Sequence, residues 1–231
     1  MFVDAHCHME SMKYIPSDKV LPVTVGYSHS SNRKNIEIAK KYGIPFVLGI
    51  APQTAIKEDI SKLDEWVDLI RNNPPNAIGE IGLDYHWAKN DKDIENEKIV
   101  LNRMLDLADE MDLPVVIHSR KSTSDVLDIL EKRKPKGIMM HFYSGTVEEA
   151  ERALSMGGYV SIPTLHSKER RNVINVIPIE HILIETDSPY CTRSPDDVIK
   201  AAQYVAEVKN LDVEFVGEKT AANAKKFFNI Q

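Results

Sequence analysis

Eight short apolar runs, separated by stretches with helical patterning, leave few folds open to this sequence. They fall near Phe2 to His8, Pro22 to Gly26, Pro45 to Ala51, Ala77 to Asp84, Pro114 to Ser119, Gly137 to Phe142, Tyr159 to Ile162 and His181 to Thr186. Their length suits strands. Between them the spacing predicts helices: Asn35 to Tyr42, a second carrying Ile60, Leu63, Val67 and Ile70, and a longer one carrying Ile94, Leu101, Leu105 and Ala108. Thr146 with Glu149 reads as a capping box. Ser194-Pro195-Asp196-Asp197 offers an N-cap, a proline at the first helical position and acids in the first turn. Val216 to Phe228 reads as a final helix. Strands alternating with helices are βα units, which build parallel sheets. At 231 residues the expected fold is α/β, a closed (β/α)8 TIM-like barrel with a C-terminal helix; a doubly wound open sheet is the alternative. Two places fit less well. Met9 to Lys19 is short and poorly helical for a crossover, and Pro22, with no N–H to donate, is expected only to open its strand. No repeat or linker interrupts the pattern, so residues 1–231 read as one domain.

Charged residues at 28% and apolar residues at 42% describe an ordinary globular chain. No apolar run approaches the roughly 18 residues of a membrane helix, and no basic segment leads into an apolar one at the N-terminus, so no secretory signal is expected. The two cysteines, Cys7 and Cys191, form no C-x-x-C pair. That usage fits a reducing compartment and a cytoplasmic location. The net charge of -6 disfavours a module that coats nucleic acid non-specifically. It does not exclude an enzyme handling nucleic acid at a metal site, where bound cations invert the local charge.

In a barrel the catalytic groups gather at the C-terminal ends of the strands. Those ends here carry His6 and His8, then Glu80, His118, His141 and Asp187. Alternation along a strand puts His6 and His8 on one face, Asp4 below them and Cys7 on the other face. A single such histidine is commonly a satisfied core residue. Six ligand-type residues at converging ends are harder to explain that way, because buried imidazoles and carboxylates are costly unless paired or metal-bound. Four histidines and two acids suffice for two divalent ions. The mixed nitrogen and oxygen donors suit Zn, Mn or Fe, with Mg at a carboxylate-rich position.

These motifs resemble the TatD-related metal-dependent hydrolases, within the amidohydrolase-like barrels. The matching pieces are Asp4-Ala5-His6-Cys7-His8, Gly79-Glu80-Ile81-Gly82-Leu83-Asp84-Tyr85, Pro114 to Arg120, His141-Phe142-Tyr143-Ser144-Gly145 and Glu185-Thr186-Asp187-Ser188-Pro189-Tyr190, in the family's order. The resemblance implies that His6 and His8 bind a first metal with Asp187, His118 and His141 bind a second, and Glu80 bridges both. It also implies a deoxyribonuclease-like activity, some members resembling deacylases of aminoacyl-tRNA. Three features depart from the family. The turn Gly49-Ile50-Ala51-Pro52-Gln53 lacks the histidine of a G-x-H-P sequence, the loop after Tyr190 is short, and Glu97 and Met104 stand where glutamines are frequent.

The expected chemistry is metal-assisted hydrolysis. Two ions would lower the pKa of a bound water toward about 7, with Asp187 orienting that water and taking its proton, and Glu80 completing the catalytic pair. The substrate expected is DNA or another phosphodiester. An ester or amide, such as an aminoacyl-tRNA, is the alternative, and a non-catalytic metal-binding protein is the reading from another class. Arg120, His166 and Arg193 are candidate substrate contacts, with Arg120 alternatively pairing with Glu185. Tyr85 and Trp66 are expected in packing, Trp87 at the rim, and Asp84 as a loop cap. No membrane and no obligate protein partner are implied.

Overall fold

The computed structural model describes residues 1–230; Gln231, the last residue of the expected domain, lies outside them. All eight strands form where the apolar runs placed them: β1 Phe2–Cys7, β2 Val20–Val25, β3 Phe46–Leu48, β4 Ala77–Asp84, β5 Val115–Arg120, β6 Ile138–Met140, β7 Tyr159–Ile162 and β8 Ile182–Ile184. They lie parallel and in chain order. The ring closes where Asp187 N donates to His6 O (2.9 Å) and His8 N donates to Ser188 O (2.8 Å). The Asp4 carboxylate reinforces that seam, accepting from Thr186 N at 2.9 Å and Thr186 Oγ1 at 2.6 Å. The result is a (β/α)8 TIM-like barrel.

The helices are α1 His29–Tyr42, α2 Pro52–Lys57, α3 Leu63–Arg71, α4 Asp91–Met111, α5 Thr123–Arg133, α6 Val147–Ser155, α7 Lys168–Val176, α8 Val198–Lys209 and α9 Val213–Phe228. Most of them wrap the barrel. Their apolar stripes and the outward faces of the strands form one continuous core layer, with Ile78, Ile117, Met140 and Ile184 on the strand side. A second layer fills the barrel: Val3, Val47, Val116, Met139 and Leu183, closed from below by Phe227 and Phe228 of α9. Asn76, just before β4, donates to Phe228 O and fixes that plug at the N-terminal mouth. The opposite mouth is left to polar residues.

Two local expectations change. Helix α1 begins at His29 rather than Asn35, because Ser28 and Ser31 form a reciprocal capping box ahead of it. The polar run from Ser28 to Asn32 hid that start. Pro22 lies inside β2 rather than opening it. Thr24 N donates to Pro45 O and Gly26 N to Val47 O; one step earlier on the same edge β3 has not begun, so the missing N–H of Pro22 deprives no acceptor. The crossover from Met9 is a single 3₁₀ turn, Met9–Ser11, followed by irregular chain and a turn that a Ser17–Val20 bridge closes, as its poor helical pattern implies. The Thr146–Glu149 capping box forms as expected.

Candidate metal centre

Two irregular strands aim the first functional side chains. In β1, Asp4 pairs with Pro22 and Cys7 with Thr24, so three steps on β1 match two on β2. This extra residue is a β-bulge, which reverses the alternation of faces beyond it. Phe2 packs on Gly217 of α9 and Cys7 lies in a cluster with Ala39 of α1. Both therefore face outward although five residues apart, and His6 and His8 turn inward. Asp4 does not join them; its carboxylate is taken up by the seam with Thr186. Strand β4 repeats the device: Ile78 pairs with Val115 and Ile81 with Ile117. Both isoleucines belong to the outer layer although three apart, and the shift lets Glu80 between them reach the interior. Beyond it, Gly82 has φ +153°, and a Cβ there would come 1.8 Å from His118 O, so only glycine lets β4 pass this close to β5.

His118 and His141 need no such shift, because each follows by two residues an interior residue, Val116 or Met139. Asp187 lies past the end of β8 with φ +51°. Aspartate tolerates this left-handed conformation better than most residues, and the turn brings its carboxylate back over the mouth.

The six side chains converge. Three overlapping groups, His6–His8–Glu80, Glu80–His118–His141 and His6–His141–Asp187, each bring one donor atom per residue within 4.8 Å of the others. His6 Nε2 lies 3.3 Å from His8 Nε2, 3.7 Å from Glu80 Oε2 and 3.9 Å from Asp187 Oδ1. His8 Nε2 is 3.2 Å from Asp187 Oδ1. Glu80 Oε1 is 2.7 Å from His118 Nδ1. Two imidazole nitrogens 3.3 Å apart match the edge of a tetrahedron whose corners lie about 2.0–2.1 Å from a zinc ion.

Groups behind the cluster hold the rings in register. His8 Nδ1–H donates to Val25 O at 2.8 Å, which leaves Nε2 with its lone pair toward the cluster. His118 Nε2 is held by Asp84 Oδ2 at 2.9 Å, which leaves Nδ1 inward. His141 Nδ1 lies 2.9 Å from Glu185 Oε1, close enough for an ion pair but without the alignment of a hydrogen bond. His6 Nδ1 is buried with no partner. An imidazole whose outer nitrogen is gripped by a carbonyl or carboxylate is the usual arrangement of a metal ligand.

The electrostatics point the same way. Burial opposes charge on His8, yet the Asp187 carboxylate, with Glu80 and Glu10 nearby, raises it to about 10. Burial likewise opposes charge on His118, and Asp84 and Glu80 together raise it to about 10. Burial would raise the Glu80 carboxyl, but the hydrogen bond and charge of His118 hold it down at about 2. His6 goes the other way, pushed well below its ordinary value by burial and by His141, His8 and His118. The six donors are four imidazoles and two carboxylates, with Asp84 and Glu185 behind them. Divalent cations fit such a donor set, displacing the protons that its histidines otherwise hold.

The cluster floors a cleft of about 480 Å³, whose walls include Tyr27, Ala51, Gln53, Lys57, Trp87 and Tyr190. Gln53 Nε2 donates to Asp84 Oδ2 at 3.0 Å. Asp84 Oδ1 accepts from the backbone N of His86 and Trp87 and so caps the loop as expected. Trp66 is buried and Trp87 exposed, again as expected. The three candidate substrate contacts do not line this cleft. Arg120 lines a neighbouring groove of about 430 Å³ together with Lys121, and its pairing with Glu185 is not formed among the described residues. His166 stacks on Tyr204, ring centroids 3.7 Å apart, and Arg193 stands outside the cleft walls. The roles of Asp84 and Glu185 behind His118 and His141, and the walls formed by Tyr27, Gln53 and Lys57, were not read from the sequence. Asp84 and Glu185 lie within the motifs quoted above; nothing in the pattern singles out Lys57. Both cysteines are free. Burial, then Asp187, pushes the Cys191 thiol up to about 12, which leaves it no thiolate character.

Comparison with known proteins points to one family. The family described as TatD related DNase matches residues 3–229. The uncharacterized metal-dependent hydrolase YabD of Bacillus subtilis is 31% identical over the full length of both chains. The deoxyribonuclease TATDN3 of Homo sapiens is 27% identical, covering 98% of this chain and 94% of its own. The crystal structure of YJJV, a TatD homolog from Escherichia coli K12, superposes with a TM-score of 0.86 at 22% identity, covering 100% of this chain and 98% of that one. With the barrel, the order of its motifs and the match over nearly its whole length, the chain belongs to the TatD-related family of metal-dependent hydrolases.

Proposed function

We propose that the chain is a phosphodiesterase, a deoxyribonuclease that works at two divalent ions in this cluster. The observation that carries the reading is the position of Glu80. One of its oxygens faces His118 at 2.7 Å, and the other faces His6 and His8 at 3.7 and 3.9 Å. A carboxylate set between two groups of nitrogen donors is what two adjacent ions require. His6, His8 and Asp187 would hold one ion, His118 and His141 the other, and Glu80 both. When bound, the ions supply water activation and neutralise charge on the oxygens of an in-line displacement. Asp187 is the more accessible of the two carboxylates, its side chain 16% exposed against 8% for Glu80, so it is the one that meets water in the cleft and takes its proton. Buried Glu80 keeps the donors together. The similarity to the human deoxyribonuclease TATDN3 supports DNA as the substrate.

A second reading, hydrolysis of an ester or amide such as an aminoacyl-tRNA, is favoured by one observation. Ala51 ends the turn after β3 with no side-chain donor, and among the described residues lining the cleft Lys57 is the one lysine or arginine, which is sparse provision for a phosphate backbone. The same activated water serves either bond. The test is an assay of the protein loaded with Mn or Zn against single-stranded DNA, bis-p-nitrophenyl phosphate and a panel of aminoacyl esters. The nuclease reading expects turnover of the first two, lost in Glu80→Gln and Asp187→Asn with the circular dichroism unchanged. Turnover of the esters alone would overturn it.

A further inference from the structure

We infer that Lys57 and Trp87 form a subsite for one nucleotide of the substrate, Lys57 holding the phosphate that flanks the bond cleaved at the donor cluster and Trp87 a base, so that the cleft grips one nucleotide and does not track a strand. The inference rests on the phosphodiesterase reading and names its substrate class. Four polar side chains line the cleft besides the donor cluster and Trp87: Tyr27, Gln53, Lys57 and Tyr190. Three are already engaged. The amide of Gln53 donates to Asp84, and the hydroxyls of Tyr190 and Tyr27 face one another at 3.5 Å. The Lys57 ammonium has no hydrogen bond or ion pair among the described residues, while its Nζ stands 5.8 Å from the centroid of the Trp87 ring. It is also the sole lysine or arginine of these walls. The exposed ammonium is free to meet an anion that enters the cleft, and the Ala51 side chain of the same walls supplies no competing donor.

Trp87 is the matching apolar half. Its indole is 46% exposed although it borders the cleft. Trp87 follows β4 and Tyr190 follows β8, strands half a barrel apart in the order of the ring. The cleft is thus walled on two opposite sides by aromatic groups over a donor-lined floor. A volume of about 480 Å³ is that of a small-molecule site. Proteins that bind single strands without sequence preference need the reverse arrangement, a long positive groove with a row of aromatic platforms. One lysine on these walls, a second, Lys89, at 5.8 Å from the Trp87 ring and a net charge of -6 do not build one; Arg120 and Lys121 lie in a separate groove.

The chain contains two tryptophans, and Trp66 is buried in the core at 2% exposure. Fluorescence changes on binding therefore report Trp87. The experiment titrates the manganese-loaded protein with thymidine 5′-monophosphate and with a hydrolysis-resistant phosphorothioate 16-mer of thymidine, at several salt concentrations. The expected result is quenching by both probes with affinities within about threefold and a logarithmic salt slope near -0.7, the value for one phosphate contact on a single strand. Lys57→Met should flatten the slope and weaken binding about tenfold, and Trp87→Phe should remove the quench. Three results would overturn the inference: no quenching, unchanged affinity in Lys57→Met, or a 16-mer bound far more tightly with a slope steeper than about -2. Quenching and a Lys57-dependent slope without hydrolysis of any nucleotide would sustain the subsite and overturn the nuclease reading. Hydrolysis of DNA without quenching would do the converse.

Discussion

His6 lies flat against His141, ring centroids 3.5 Å apart and planes 14° from parallel. The two come from β1 and β6, which are not neighbours, so the contact spans the barrel mouth. Two imidazoles this close repel one another when both are charged. Burial and the neighbouring histidines accordingly push His6 well below its ordinary pKa. A neutral imidazole with a free lone pair is the form that a metal requires. The fold therefore favours a neutral His6, the form a metal would take, while His8 and His118, facing Asp187, Glu80 and Asp84, supply the charge that a cation would replace.

Asp84 is not in the ligand set, yet it holds His118 Nε2 at 2.9 Å and ties down the loop through His86 N and Trp87 N. Asp84→Asn keeps its size and removes the charge behind the imidazole. We expect a loss of about 10- to 100-fold in metal affinity or activity, the usual cost of removing such a support. Isothermal titration with Mn and steady-state assays measure both; an unchanged metal affinity would show that His118 needs no carboxylate behind it.

Glu97 on α4 is buried, its Oε2 accepting from Asp84 N at 3.1 Å and its Oε1 without a partner. Burial pushes its carboxyl from 4.5 up to about 7. Between those values the folded chain holds the proton more firmly than the unfolded chain. The stability this contributes is fully present below about pH 4 and is lost as pH rises through about 7. Glu97→Gln keeps an acceptor for Asp84 N and has no proton to lose. Urea midpoints for the two proteins should diverge from pH 5 to pH 8, the wild type falling relative to the variant. A difference independent of pH would contradict this.

Thr186 closes the seam of the barrel on the buried Asp4 carboxylate, with its N at 2.9 Å and its Oγ1 at 2.6 Å. Thr186→Val preserves shape and strips one donor from a carboxylate that water does not reach. The cost should be about 1–3 kcal/mol, read from denaturant unfolding. A shift below about 0.5 kcal/mol would place the seam's strength in the backbone bonds between Asp187 and His6 and between His8 and Ser188.

The strands and the six convergent residues were legible because each apolar run ends in one conspicuous polar residue, and a barrel collects those ends. How His6 and Glu80 come to face inward was not legible. A bulge is one extra residue, and Ala5 or Gly79 looks the same in sequence whether the strand is regular or not. Counting alternation from Phe2 or Ile78 would have turned both side chains outward. The second tier was hidden for another reason: Asp84 and Glu185 matter through what β5 and β6 bring beside them, and Lys57 through where the short helix α2 ends. Arg120 and His166 also lie near strand ends, but their side chains point to the neighbouring groove and to the ring of Tyr204, which the sequence does not show. The start of α1 was masked by serines that cap it.

The central claim is that His6, His8, Glu80, His118, His141 and Asp187 form a divalent-metal site of two ions, and elemental analysis of the purified chain tests it most directly. After loading with Mn or Zn and removal of loosely held metal, about two ions per chain are expected, falling to about one in His118→Ala as the second position loses its donor. A wild-type chain that retains no metal under those conditions would contradict the account.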